Sequence, residues 1–136
     1  MKRTRKYILI ISLFALLFGS SCNKDSSTPV TITRAGLTGT WLVTESSKKA
    51  TYEVYIQTDS SSSTGVLITN FAGAGQNVKA TAYLSNSSLV MTNELLSNGW
   101  IVIGNGVISS LTQINWPYTL HDGSNLINIQ AIYTKK

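Results

Sequence analysis

From residue 39 to the C-terminus, short stretches rich in Val, Ile, Thr, Tyr and Trp recur about every ten residues, with Gly, Asn, Ser or Asp between them. Within several stretches the apolar positions alternate with polar ones. Tyr52, Val54 and Ile56 oppose Glu53 and Gln57; Val78, Ala80, Ala82 and Leu84 oppose Lys79, Thr81 and Tyr83; Ile127, Ile129, Ala131 and Tyr133 oppose Asn128, Gln130 and Thr134. A period of two is that of a strand with one face in a core and the other in water, so the first set of each group is expected to face inward. The pattern predicts strands near 39–46, 50–58, 65–71, 77–84, 87–94, 99–110, 112–120 and 125–134. Helical periodicity is not sustained in this region, and only a short turn at Arg34 to Leu37 is expected.

The connections between these strands are short and rich in turn-forming residues: Asp59 to Thr64, Gly73-Ala74-Gly75-Gln76, Ser85-Asn86, Ser97-Asn98-Gly99 and His121-Asp122-Gly123. Short links make successive strands antiparallel neighbours. Eight such strands hide their edges most economically by closing, which predicts an all-β fold, a single antiparallel up-and-down barrel. Gly104 and Gly106 interrupt the sixth strand and are expected at a bulge or sharp bend. Pro117, in the seventh, calls for an edge or a bulge.

The N-terminus has a different pattern. Lys2, Arg3, Arg5 and Lys6 precede an uncharged apolar run from Tyr7 to Phe18, and Gly19, Ser20 and Ser21 follow as a small-residue cleavage zone. That run is too short to span a bilayer core. The chain's one cysteine, Cys22, stands directly after it. Small residues followed by a single cysteine resemble the lipobox of bacterial lipoproteins, and Cys22-Asn23-Lys24-Asp25 resembles part of the surface-export signal of Bacteroidetes lipoproteins. The resemblance implies a signal peptide over residues 1–21 and lipidation, palmitate included, at Cys22. It also implies an anchor in the bacterial outer membrane, with the domain surface-exposed. Residues 22–33, rich in Ser and Thr, then read as a flexible tether, and 34–136 as the folded domain.

Removing the leader changes the charge. The chain has 11 Lys and Arg against 6 Asp and Glu, but four of the basic residues belong to the leader, so the remainder is near +1. Nucleic-acid binding therefore gains no support from the basic composition. With Cys22 committed to the anchor, no thiol is left for a disulfide, a metal site or a nucleophile.

Leu37-Thr38-Gly39-Thr40-Trp41 resembles the G-x-W opening of the first strand of lipocalins and other calycins. The resemblance implies that Trp41 plugs the closed end of an up-and-down barrel. Lipocalins usually cover that tryptophan with an Arg late in the last strand, where this chain has Lys135 and Lys136. Further stretches, from Tyr52-x-Val54-x-Ile56 through Ile103-Gly104-x-Gly106 to Ala131-x-Tyr133, resemble small Bacteroidetes lipoproteins of lipocalin-like type.

Catalytic groupings are sparse. His121 is the single histidine and sits in a turn with Asp122 and Gly123, where backbone geometry explains all three. Glu45, Glu53 and Glu94 lie on different strands and read as solvent-facing. One histidine without a free thiol does not make a usual zinc site, and no cofactor motif is present. The expectation is a non-enzymatic binding protein. An eight-strand barrel is either filled by side chains or holds one small ligand. In the first reading of function, a small apolar or amphipathic ligand lies inside, lined by Trp41, Tyr52, Val54, Ala80 and Ala82. In the second, exposed Trp100, Trp116 and Tyr118, flanked by Asn98 and Asn115, bind glycan or protein. Against the second stands the alternation of Ile114, Trp116 and Tyr118, which would turn both aromatics into the core.

Overall fold

The computed structural model describes residues 29–136; residues 1–21, expected as a leader, and Cys22 lie outside them. Eight strands, β1 (Gly39–Glu45), β2 (Tyr52–Thr58), β3 (Gly65–Thr69), β4 (Lys79–Ser85), β5 (Ser88–Leu95), β6 (Ile101–Ser110), β7 (Gln113–His121) and β8 (Leu126–Lys135), pair in sequence order. The first also pairs with the last, from Trp41 opposite Lys135 to Glu45 opposite Ala131, so the barrel is closed and antiparallel throughout. Closure leaves no strand edge exposed. The inward alternation read from the sequence holds for Val54, Ile56, Val78, Ala80, Ala82, Ile129, Ala131 and Tyr133, all buried. Tyr52 and Leu84 are half-buried, and Ile127, beside the β7–β8 turn, is exposed.

Because the strands alternate in direction, the loops at 46–51, 70–78, 96–100 and 122–125 share one end of the barrel. The other end is sealed by α1 (Arg34–Leu37), the short turn expected there. Thr33 caps it by accepting from the Gly36 N–H at 3.1 Å. Arg34 Nη1 donates to the carbonyls of Asp59, Ser62 and Gly65 at 3.1, 2.7 and 3.1 Å, tying the turn to the β2–β3 loop. Fully buried Trp41 donates from Nε1 to the Leu37 carbonyl at 2.9 Å. Lys135 covers the Trp41 ring: its Nζ lies 5.7 Å from the ring centre and donates to the Gly36 carbonyl at 2.7 Å. Gly39, at φ +136°, provides the turn into β1 where a Cβ would come within 3.2 Å of Lys135 Cε.

One sequence expectation on β6 is refined and one on β7 is corrected. A bulge does adjoin Gly104, since β5 carries one extra residue between Met91 and Glu94 where β6 runs from Gly104 to Val102. Yet close approach is the stronger requirement for glycine. A Cβ on Gly106 would lie 2.6 Å from Trp116 Cδ2, and one on Gly104 would lie 2.5 Å from Tyr118 Cβ. Pro117 is at neither an edge nor a bulge. It is opposite Gln130 on the β8 side, while on the β6 side pairing lapses between Gly104–Tyr118 and Val107–Asn115, where an N–H would be missed.

Candidate functional site: a buried carboxylate among aromatics

The end of the barrel opposite α1 is chemically unlike a packing core. Glu45, the last residue of β1, follows Trp41 and Val43 in phase and is therefore turned inward, with 3 % of its surface exposed. The solvent-facing expectation for Glu45 is overturned, because strand phase outweighs residue type here. The hydroxyls of Tyr52 and Tyr118 both donate to Glu45 Oε1, the latter at 2.5 Å. On the other oxygen, Oε2, Lys48 Nζ lies at 3.3 Å and Ser47 Oγ donates at 3.5 Å. These donors replace the water that a buried carboxylate would otherwise lose at a cost of several kcal/mol.

Three phenols surround this carboxylate, and all remain protonated at neutral pH. Burial raises the pKa of Tyr52 most, followed by the nearby Tyr133 and Tyr118 and by the hydrogen bond to Glu45. Tyr118 is raised chiefly by burial, then by Tyr133 and by its bond to Glu45. Tyr133 is raised by complete burial and by the charge of Glu45. They are thus fixed as hydrogen-bond donors.

Two of the donors in this region have nothing to donate to. Trp116 Nε1 is buried without a hydrogen-bond partner among the described residues, and the Tyr133 hydroxyl, beside that of Tyr52, has no acceptor for its own proton. Each such group costs about 1–3 kcal/mol in desolvation when left unpaired. Their rings lie together, with centres 5.4 Å apart.

Phe71 covers this group from η1 (Phe71–Gly73), a one-turn 3₁₀ helix between β3 and β4. Its ring meets Trp116 edge-on at 5.5 Å and Tyr118 at 5.1 Å. The sequence had placed Phe71 at the end of a strand. In the structure the strand stops at Thr69 because Asn70 turns to φ 62°, and Ala72 and Gly73 are also left-handed at φ 55° and 64°. Asn70 supports its turn by donating from Nδ2 to the Glu53 carbonyl and accepting from the Gly75 N–H, both at 2.8 Å. For Ala72 a left-handed conformation costs about 1–2 kcal/mol. Lys48 Nζ secures the turn from above, donating to the Ala72 carbonyl at 2.5 Å and lying 4.8 Å from the centre of the Tyr52 ring.

Of the site residues expected from sequence, Tyr52, Trp116 and Tyr118 come together around Glu45 and Phe71. Val54, Ala80 and Ala82 face the same interior, whereas Trp41 lies under α1 at the sealed end. The outer-face alternative loses its aromatics. Trp116 and Tyr118 are buried in phase with Ile114, and Trp100 is half-buried against the core. Asn115 is exposed and donates to Ser109 Oγ, and Asn98 accepts from the Trp100 N–H. Glu45, Lys48, Phe71 and Tyr133 were missed as a site. Phase alone could have found Glu45 and Tyr133; Phe71 had no local signal beyond an Asn before it.

The remaining titratable groups lie apart from the cluster. His121 is exposed, and its Nδ1 accepts from the Gly123 N–H at 3.2 Å. Asp122 binds the N–H groups of Asn125 and Ser124, which hold its carboxyl below the usual range. Glu53 pairs with Lys136 at 2.5 Å on the surface, and Glu94 accepts from the Thr81 N–H at 2.8 Å. Among the described residues no three His, Cys, Asp or Glu side chains gather as metal ligands.

Neither a protein-family model nor a curated relative matches the chain. Solved structures do match in fold. A redesigned β-barrel aligns with a TM-score of 0.51 at 18% identity, covering 79% of this chain and 99% of its own. The protein EF1p2_mFAP2b, solved bound to DFHBI, aligns with a TM-score of 0.50 at 13% identity, covering 75% and 95%. At these identities the likeness is one of fold: an eight-strand antiparallel barrel.

Proposed function

We propose that the protein is a non-enzymatic binding protein that holds one small apolar or amphipathic ligand inside the barrel, at the end where Glu45 lies. The observation that carries this reading is the pair of unpartnered buried donors, Trp116 Nε1 and the Tyr133 hydroxyl, next to a buried carboxylate. A core selected for stability alone gains nothing from such groups, since apolar replacements of similar shape are neutral or stabilising. A ligand that supplies acceptors gives them a purpose. A protein of the same fold bound to DFHBI supports the reading.

In this account Cys22 carries the lipid that anchors the protein to the outer membrane. The chain enters the barrel at the α1 end, opposite the Glu45 end. Cys22→Ser should release the protein from the membrane fraction, and retention there after a high-salt wash would contradict the anchor.

Every strand of the barrel and its buried cluster lie within the described residues, so residues 29–136 carry the fold and can be tested alone. Titration with Nile red, an uncharged fluorogenic ketone, should give a saturable rise in emission. Ala82→Trp should abolish it by filling the interior. No saturable rise in the unaltered protein sinks the reading.

A further inference from the structure

The interior reading leaves the chemistry of the ligand open, and the arrangement around Phe71 narrows it. Phe71 is the one large aromatic of the cluster that comes from a turn rather than a strand. Moving it breaks no strand ladder. The turn is held by the bonds from Gly73 N–H to Asn70 and Ala74 N–H to Phe71, and by the Lys48 ammonium on the Ala72 carbonyl. Lys48 reaches it from the 46–51 loop with 41% of its side chain exposed. Ala72, left-handed at φ 55°, places backbone strain in this turn.

Resting on the interior-binding reading, we infer that the ligand is an uncharged planar aromatic molecule bearing a carbonyl-type oxygen, whose ring takes the place held by Phe71 against Trp116 and Tyr118. Phe71 meets Trp116 edge-on and Tyr118 at a tilt, side by side on β7, so the place it holds takes an aromatic ring. Trp116 Nε1 can only donate and the Tyr133 hydroxyl lacks a partner, so the ligand contributes an acceptor. Glu45 already accepts from Tyr52 and Tyr118 and pairs with Lys48, so it asks for no cation. A buried anion would need a cation of its own, and Lys48 is already paired with Glu45. Phe71 is then an internal stand-in for the ligand ring, and Lys48 the latch that keeps it seated.

A closed state that must open before binding lowers the apparent affinity by the fraction of open molecules, and loosening the plug restores it. Phe71→Ala should therefore bind Nile red about tenfold more tightly than the unaltered protein, and Lys48→Ala should move the same way by about threefold or more. In the unaltered protein, Nile red should be preferred to the anionic dye 1-anilinonaphthalene-8-sulfonate by about tenfold or more. Saturation with Nile red should also speed amide exchange at Gly73 and Ala74 as the turn is displaced. Should Phe71→Ala fail to fold, Lys48→Ala and the exchange rates decide the matter. Folded variants that bind Nile red no better than the unaltered protein, or exchange that is unchanged or slowed, overturn the plug; equal affinity for the two dyes overturns the ligand class. In either case saturable binding by the unaltered protein would leave the interior reading standing, whereas its absence overturns both.

Discussion

Replacing Glu45 tests whether the polar cluster is a connected unit. Glu45→Leu leaves the hydroxyls of Tyr52 and Tyr118 without the acceptor they share and takes the carboxylate from Lys48. Two orphaned hydroxyls at about 1–3 kcal/mol each give an expected loss of roughly 2–6 kcal/mol. Against a domain stability of about 5–15 kcal/mol this is a large fraction. Glu45→Gln keeps an oxygen for the phenols and loses the charge. The Lys48 side chain is 41% exposed, so its ion pair is screened by solvent and contributes no more than about 1 kcal/mol. The glutamine variant should thus lose about 1–2 kcal/mol in all. Adding Tyr52→Phe and Tyr118→Phe to Glu45→Leu removes the orphaned hydroxyls and should recover most of the loss. Urea denaturation of residues 29–136, with the slope unchanged across variants, measures each difference. If Glu45→Leu costs no more than Glu45→Gln, or if the triple variant is no more stable than Glu45→Leu alone, the cluster does not work as described.

At the sealed end, Trp41→Ala should cost about 3–5 kcal/mol, since it empties a fully buried site and removes the bond to Leu37 and the ring under Lys135. A near-unchanged melting temperature would show that the G-x-W turn does not close the barrel. Alkaline pH should act through the three buried phenols. Their pKa values are raised above the unfolded value of about 10, so the stability they contribute is whole below that pH and declines as pH rises beyond it. Tyr133→Phe should leave tyrosinate absorbance below the unfolding transition unchanged; a decrease there would mean that Tyr133 ionises in the folded barrel.

The strands were legible because the side-chain period of a half-buried sheet is written directly into the order of residues, and their ends fell within about two residues of those expected from turn chemistry. The same phase marked Ile114, Trp116 and Tyr118 as inward. It equally marked Glu45, which reading by residue type turned outward. The contacts of Phe71 were not legible, since they depend on Asn70 and Ala72 leaving the extended region and on Lys48 reaching across from another loop. Lys135 over Trp41 was legible only as one of two candidates, Lys135 and Lys136, because the pair adjoins only when the last strand closes on the first.

The most direct test of interior binding is the indole N–H resonance of Trp116, followed by NMR as Nile red is added to residues 29–136. Of the chain's three tryptophans, Trp41 already donates to Leu37, while the Trp116 indole has no partner. Binding that supplies an acceptor should shift the Trp116 indole proton downfield to a saturating value and leave that of Trp41 in place. Nile red that binds without moving the Trp116 resonance, or that does not bind, would contradict a ligand site inside the barrel.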